Sequence, residues 1–235
     1  MINTTNKTVF MYALRRGFLS YWTLTFNVVL PIIIIFIPIM WDDDGWATGY
    51  SYLALTLMTG AFFMAYGLIK DMISGTIIRI LAGPITSRGY LIQNLLAAML
   101  PMFIISVMLG ALGVVLYGWG INFALAIALC YTLLSASSVG LAFAWSCLFK
   151  NEETSFSVFM LFIMMSAYLG GLVFPMDLLP ITIQRFGALF PSHWAARAIN
   201  NLQEYGANGE YWLSILTLIL FTTAYILYGS KRRVI

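Results

Sequence analysis

The chain alternates between long apolar runs and short polar interruptions, and the runs share one dominant length. Six windows, Trp22–Met40, Ser51–Ile69, Ile92–Tyr117, Phe123–Phe149, Ser155–Phe174 and Tyr211–Gly229, lie near the roughly 20 apolar residues that a helix needs to cross a bilayer. Apolar residues are contiguous within them and do not alternate at every second position, which predicts helices and not barrel strands. The connections are unequal. Gly118–Asn122 and Lys150–Thr154 predict tight hairpins, whereas Phe174–Glu210 holds Pro175, Pro180 and Pro191 among mostly apolar residues. A loop that long predicts structure of its own. Within it, Leu178–Phe190 is too short to span and predicts a helix that dips partway in or lies at the interface.

The longest polar interruption between two neighbouring runs on the other side is Lys70–Leu91, KDMISGTIIRILAGPITSRGYL. Ile73, Ile77 and Leu81 share a helical face, Ala82-Gly83-Pro84 predicts the end of a short helix, and Thr86–Tyr90 leads into the third run. Two plain spans need only a short turn between them. A basic, amphipathic, Pro/Gly-punctuated element predicts a surface that touches something in water. Thr4–Leu19 admits two readings. One is a helix along the membrane, with Val9, Phe10, Ala13, Leu14 and Phe18 toward lipid and Lys7, Arg15 and Arg16 at the headgroups; the other is a basic tail that sets topology.

Composition narrows the class: 61% of the 235 residues are hydrophobic, 9% are charged, and mean hydropathy is +0.90. A soluble domain carries roughly 25% charged residues, so this chain is solvated mostly by lipid. The charges orient it. Lys7, Arg15, Arg16, Lys70, Arg79, Arg88, Lys150, Lys231, Arg232 and Arg233 fall on one side, which is ten of the twelve basic residues. Arg185 and Arg197 fall on the other, with Asp42, Asp43, Asp44, Asp177, Glu204 and Glu210. The positive-inside rule then predicts cytoplasmic termini. The polar stretch before the first run and the lack of a small-residue cleavage site predict a retained first span and no signal peptide. Trp22, Trp41, Trp46, Trp119, Trp194 and Trp212 stand near run ends, as an aromatic belt does.

Tests for chemistry mostly exclude. Cys130 and Cys147 sit inside one run and offer neither a disulfide framework nor a zinc site. His193 is the one histidine, too few for HExxH or a multi-histidine metal centre, and no GxSxG elbow occurs. Asp42–Asp44 reads as a solvated turn, and Glu152 and Glu153 as a loop or a helix start. No lysine follows a glycine, so the sequence holds no P-loop, and an ATP-driven function must draw its motor from another subunit. No ionisable residue falls at a predicted midplane, which argues against an ion-coupled carrier. Asn27 in the first run is read chiefly as an interhelical hydrogen-bonding group, and the Thr132, Ser135, Ser137, Ser138, Gly140 face of the fourth as a close-packing surface.

The order in Lys70–Leu91 (an acidic residue, Gly75-Thr76 four positions on, a basic Arg79, then Pro84 and Tyr90-Leu91) resembles the cytoplasmic loop between the second and third helices of ABC-2 type transporter permeases. Asp71 departs from many members, which carry a longer Glu there. A second similarity is GGLVFPMDLLP, Gly170–Pro180, followed by FPSHWAAR, Phe190–Arg197, like the family's stretch after helix five. The resemblance covers essentially the whole chain. It implies an all-α membrane protein of one domain, residues 1–235, with six spans, an N-terminal surface helix, a coupling helix in the loop and short outer helices between helices five and six. It further implies a permease of an ABC exporter in a bacterial plasma membrane, working as a homodimer or homologous heterodimer with two ATPase subunits. The chain itself is expected to be no enzyme and to bind no cofactor; ATP and Mg would be held by the ATPase.

By the same resemblance Asp71, Gly75, Arg79 and Pro84 are candidates for docking the ATPase, with Asp71–Leu81 moving as a lever. Pro175, Asp177, Pro180 and Pro191 are candidates for an outer gate, and Asn27, Phe63, Tyr66, Phe162 and Met165 for the cavity wall. Few charges and many Phe, Met and Tyr suit an amphiphilic or hydrophobic cargo such as a drug, a peptide antibiotic or toxin, or a lipid. An ion-coupled carrier and a non-transporting scaffold or sensor are the alternatives.

Overall fold

A computed structural model describes residues 2–41, 48–83, 86–146, 151–173 and 180–231. These form helices α1 (Ile2–Phe18), α2 (Tyr21–Leu24), α3 (Leu30–Ile35), α4 (Thr48–Ile73), α5 (Thr76–Leu81), α6 (Ser87–Tyr117), α7 (Ile121–Ser146), α8 (Glu152–Leu169), α9 (Ile181–Gly187), α10 (Pro191–Tyr205) and α11 (Gly209–Lys231). No strand occurs among the described residues.

Among them four helices are long and apolar enough to cross a membrane: Gly49–Ile73, Gly89–Tyr117, Ile121–Trp145 and Gly209–Gly229. A fifth crossing is counted if Val9–Gly17 and Tyr21–Ile35, bent by 69° at their break, form one span. The pattern predicts six. The difference at the fifth window is one of length: the apolar part of α8, Glu153–Leu169, is shorter than a spanning helix. The first window also departs from a straight rod. Between α2 and α3 the backbone opens into one wide π-helical turn, Thr25–Val29, and Pro38–Met40 follows as a single 3₁₀ turn.

Helix α7 lies at the centre and packs on α4, α6 and α11. Its small-residue face explains how. Ser135 donates to the Tyr131 carbonyl at 2.7 Å, and Ser137 and Ser138 donate to Leu134 at 2.8 and 2.9 Å. Each hydroxyl is thus satisfied inside its own helix, leaving a smooth surface that neighbours approach closely. The packing reading of this face therefore holds. Helix starts follow local capping rules: Thr86 Oγ1 accepts from Gly89 N at the head of α6, and Asn151 Oδ1 from Glu153 N at the head of α8. Glu152 is a helix start, one of its two sequence readings.

Within the outer segment, α10 was not singled out by the apolar pattern. It is amphipathic, and it buries Pro191, Ser192, His193, Ala195, Ala196, Ala198, Ile199 and Leu202 against α7, α8 and α11.

Candidate functional site

The polar loop takes a different local form from the one its periodicity predicts. The long helix α4 runs on through Asp71 to Ile73, and the short helix that follows, α5, has only six residues. Gly75 separates them with φ +70°, a left-handed conformation that costs an L side chain roughly 1–2 kcal/mol. An added Cβ there would meet nothing within 4 Å, so the glycine serves the turn and not a close approach within this chain. Helix α5 is held by Ile77, which is buried, while Thr76, Ile78 and Arg79 are exposed. Ile78, 64% exposed, and Arg79 thus form an apolar and cationic tip facing away from the bundle.

Asp71 turns the other way. It is 8% exposed, and its Oδ2 accepts hydrogen bonds from Arg16 Nη1 at 2.7 Å and from Tyr90 OH at 2.6 Å. One carboxylate oxygen therefore ties together α1, α4 and the start of α6. Asp71 and Arg16, candidates for a partner contact and, in one of the two readings of α1, for lipid headgroups, form an ion pair with each other inside the chain. The route to it is steric. A Cβ on Gly67 would lie 2.3 Å from Arg16 Nε, so only a bare backbone one turn before Asp71 lets the guanidinium pass. Arg16 also lies over the Tyr12 ring, 5.4 Å from its centroid. Neither partner was legible beforehand: Arg16 is 55 positions from Asp71 and Tyr90 is 19 away. The pair of small residues Gly17 and Gly67 was the available signal.

The five proposed wall residues do not share one space. Phe63 stacks on Phe26 at 5.0 Å and on Trp22 at 6.0 Å between ring centroids, and meets Phe156 at 5.7 Å. Phe62 meets Phe159 at 4.6 Å and Tyr66 at 6.3 Å. Phe63 and Tyr66 thus belong to an aromatic seam joining α2 and the π-helical turn after it, α4 and α8. Phe162 packs between Trp145 and Phe190, and Met165 is 51% exposed on α8. Asn27 sits apart from them, on the π-helical turn. Its Nδ2 donates to the Thr23 carbonyl at 3.1 Å, and its Oδ1, which has no hydrogen-bond donor, lies 2.0 Å from where a Gly60 Cβ would stand.

In the outer segment, Pro180 is exposed ahead of α9, and Pro191 is buried in the first turn of α10. Ser192 Oγ donates to the Ser166 carbonyl and lies 2.7 Å from the Ser166 hydroxyl, which locks α10 to α8. Gly187 packs on the Leu169 carbonyl, and Trp194 Nε1 donates to the Ala188 carbonyl at 2.9 Å. His193 is buried in this knot, and its Nδ1 has no partner. Burial first, then the positive charge of Arg197, pushes its pKa below the usual histidine value. Arg197 pairs with Glu210 at the head of α11 and lies over the Trp194 ring. Pro84, Pro175, Asp177, Cys147, Trp46 and Asp42–Asp44 lie outside the described residues. Among the described residues no group of His, Cys, Asp and Glu could hold a metal ion.

A family profile described as ABC-2 family transporter protein matches residues 25–231. The chain belongs to the ABC-2 transporter family. This ABC-2 chain is thereby the membrane domain of a transporter permease, embedded in lipid through several apolar helices. Permease domains of the family typically work with an ATPase subunit at the membrane. No curated protein matches the chain significantly.

Proposed function

We propose that the chain is the permease subunit of an ATP-driven exporter and that α5 docks a separate ATPase subunit. The observation that carries this is the combination at Lys70–Leu91 of an outward tip, Ile78 and Arg79, with an inward anchor, Asp71. A push on α5 passes through Ile77 and the Gly75 turn to the end of α4. Asp71 then shares it with α1 through Arg16 and with α6 through Tyr90, so three helices move together. Gly75 and Arg79 act at the docking surface, and Pro84 is a further docking candidate. Asp71 acts behind that surface as the transmission point.

The permease works as a pair, identical or homologous, with two ATPase subunits that hold ATP and Mg. The aromatic seam of the first span, α4 and α8 leaves Trp22, Phe156, Leu161 and Met165 exposed, and this strip suits the second permease and an amphiphilic or hydrophobic cargo between the two. Six crossings with cytoplasmic termini follow if α8 and the first-span helices each count as one. Motion of α8 reaches α10 on the outer side through the Ser166–Ser192 lock, and Pro175, Asp177, Pro180 and Pro191 are the candidate residues of an outer gate.

Co-purification tests the docking. An ATP-binding protein should associate with the wild-type chain and be lost with Arg79→Glu and with Gly75→Trp. Its absence from the wild type, or equal association with both variants, overturns the proposal. Transport abolished by a protonophore yet indifferent to ATP would favour an ion-coupled carrier.

A further inference from the structure

Between the first span and α6 lies a cavity of about 330 Å³ whose lining includes Leu14, Asn27, Pro31, Pro101, Met108 and Leu112. Two local defects make room for it. The π-helical turn at Thr25–Val29, followed by Pro31, widens the first span. Pro101 inside α6 cannot donate to the carbonyl four residues back, and its ring pushes the preceding turn aside. The wall is apolar almost throughout; Asn27 is its one polar side chain, and its amide nitrogen is already used by Thr23.

Water is a poor occupant of such a space, since an ordered buried water needs two to four polar partners. An apolar cavity of roughly 150 Å³ stays dry and takes a benzene-sized molecule; this one is about twice that volume. Its shape argues for a chain over a ring, because the lining runs along α6 from Leu100 to Leu112, about 18 Å at 1.5 Å per residue. Ile32, Ile104 and Met108 at its edge are 37%, 49% and 53% exposed; Ile104 and Met108 stand on a helix long and apolar enough to cross the bilayer, and Ile32 stands on the bent, apolar helix pair beside it. The medium meeting that edge is hydrocarbon. At the α1 end Leu14 lines the space, and the next residue, Arg15, is an exposed cation.

We propose that this cavity is a binding site for one acyl chain of an anionic bilayer phospholipid, with the headgroup at α1 beside Arg15. The bound chain fills the space behind the Asn27 turn and braces the first span against α6. The site is separate from the aromatic seam and does not depend on the docking role of α5.

The full-length chain in vesicles of phosphatidylethanolamine and phosphatidylglycerol is the material for the test. Trace phosphatidylglycerol carrying a diazirine at the end of one acyl chain is photolysed, and adducts are mapped by mass spectrometry. Adducts should concentrate at Ile105 and Leu109, the buried wall positions, over the outward Phe103 and Val107. Met108→Trp, which blocks the edge, should reduce them several-fold, while Val107→Trp leaves them unchanged; Ile104→Phe replaces the first variant if that one does not fold. Arg15→Glu should weaken labelling by the phosphatidylglycerol probe and not by a phosphatidylcholine probe of the same chain. Equal labelling at Phe103 and Ile105 means bulk lipid only and overturns the site. Undiminished labelling in both blocking variants, or crosslinks joining this face to a second copy of the chain, overturns it as well. An unchanged Arg15→Glu response overturns the headgroup assignment.

Discussion

Removing Tyr90 OH from the Asp71 carboxylate is the most discriminating perturbation of the proposed transmission point. The hydroxyl donates to Asp71 Oδ2 at 2.6 Å, and a hydrogen bond to a charged group is worth about 1.5–3 kcal/mol. Tyr90→Phe should therefore destabilise the chain by about 1.5 kcal/mol, since it deletes the donor while Arg16 still neutralises the carboxylate. Arg16→Gln is harsher. It leaves a carboxylate of 11% accessibility with one neutral donor. Breaking a fully buried pair costs about 3–5 kcal/mol, but the Arg16 side chain is 27% accessible, and solvent screening brings the expected cost to about 2 kcal/mol. Asp71→Asn should cost a similar amount. Because Arg16 and Tyr90 meet at one oxygen, the double variant Arg16→Gln/Asp71→Asn should cost about 1–2 kcal/mol less than the sum. The assay is a double-mutant cycle by denaturant unfolding in mixed micelles, run beside cargo-stimulated ATPase activity of the assembled transporter. Additivity within about 0.5 kcal/mol would show no coupling and refute the tether. Coupling in stability with unchanged ATPase stimulation would leave the tether structural and refute its role in transmission.

Gly75→Ala should cost about 1 kcal/mol through its positive φ alone, visible as a lower unfolding midpoint, while the bulkier Gly75→Trp removes ATPase association as well. Gly60→Ala drives a Cβ into the Asn27 amide and should destabilise by about 1–3 kcal/mol, whereas Gly60→Ala/Asn27→Ala recovers most of that loss in the same unfolding assay. His193 has a folded pKa below its unfolded value of about 6.5, so the unfolded chain binds more protons in the window between the two values. Stability is then fully present above about pH 6.5 and falls as pH drops through that window; His193→Gln should flatten this slope, and an unchanged slope would place the titration elsewhere. Ser192→Ala, which removes both contacts to Ser166, should loosen α10 from α8, raising protease access to the outer segment while ATPase association stays unchanged.

Sequence by itself determined the solvent and the kind of element. Contiguous apolar runs can satisfy their backbone in lipid only as helices, and the order of the Lys70–Leu91 and Gly170–Arg197 segments was sufficient to indicate the family. Local signals also read through: Glu152 as a helix start and the Ser135–Gly140 face as a packing surface, because each depends on neighbours within one or two turns. Tertiary structure decided what distant residues do. Asp71 looks like an outward acid in a polar loop, and it becomes an internal anchor because Arg16 and Tyr90 arrive on other helices past a glycine. Asn27 and Phe63 look like one wall, yet a widened turn in the first span assigns them to different spaces. Pairing across 55 positions, and a void opened by a proline on another helix, depend on how helices cross, and crossing geometry is a property of packed surfaces that no local periodicity records.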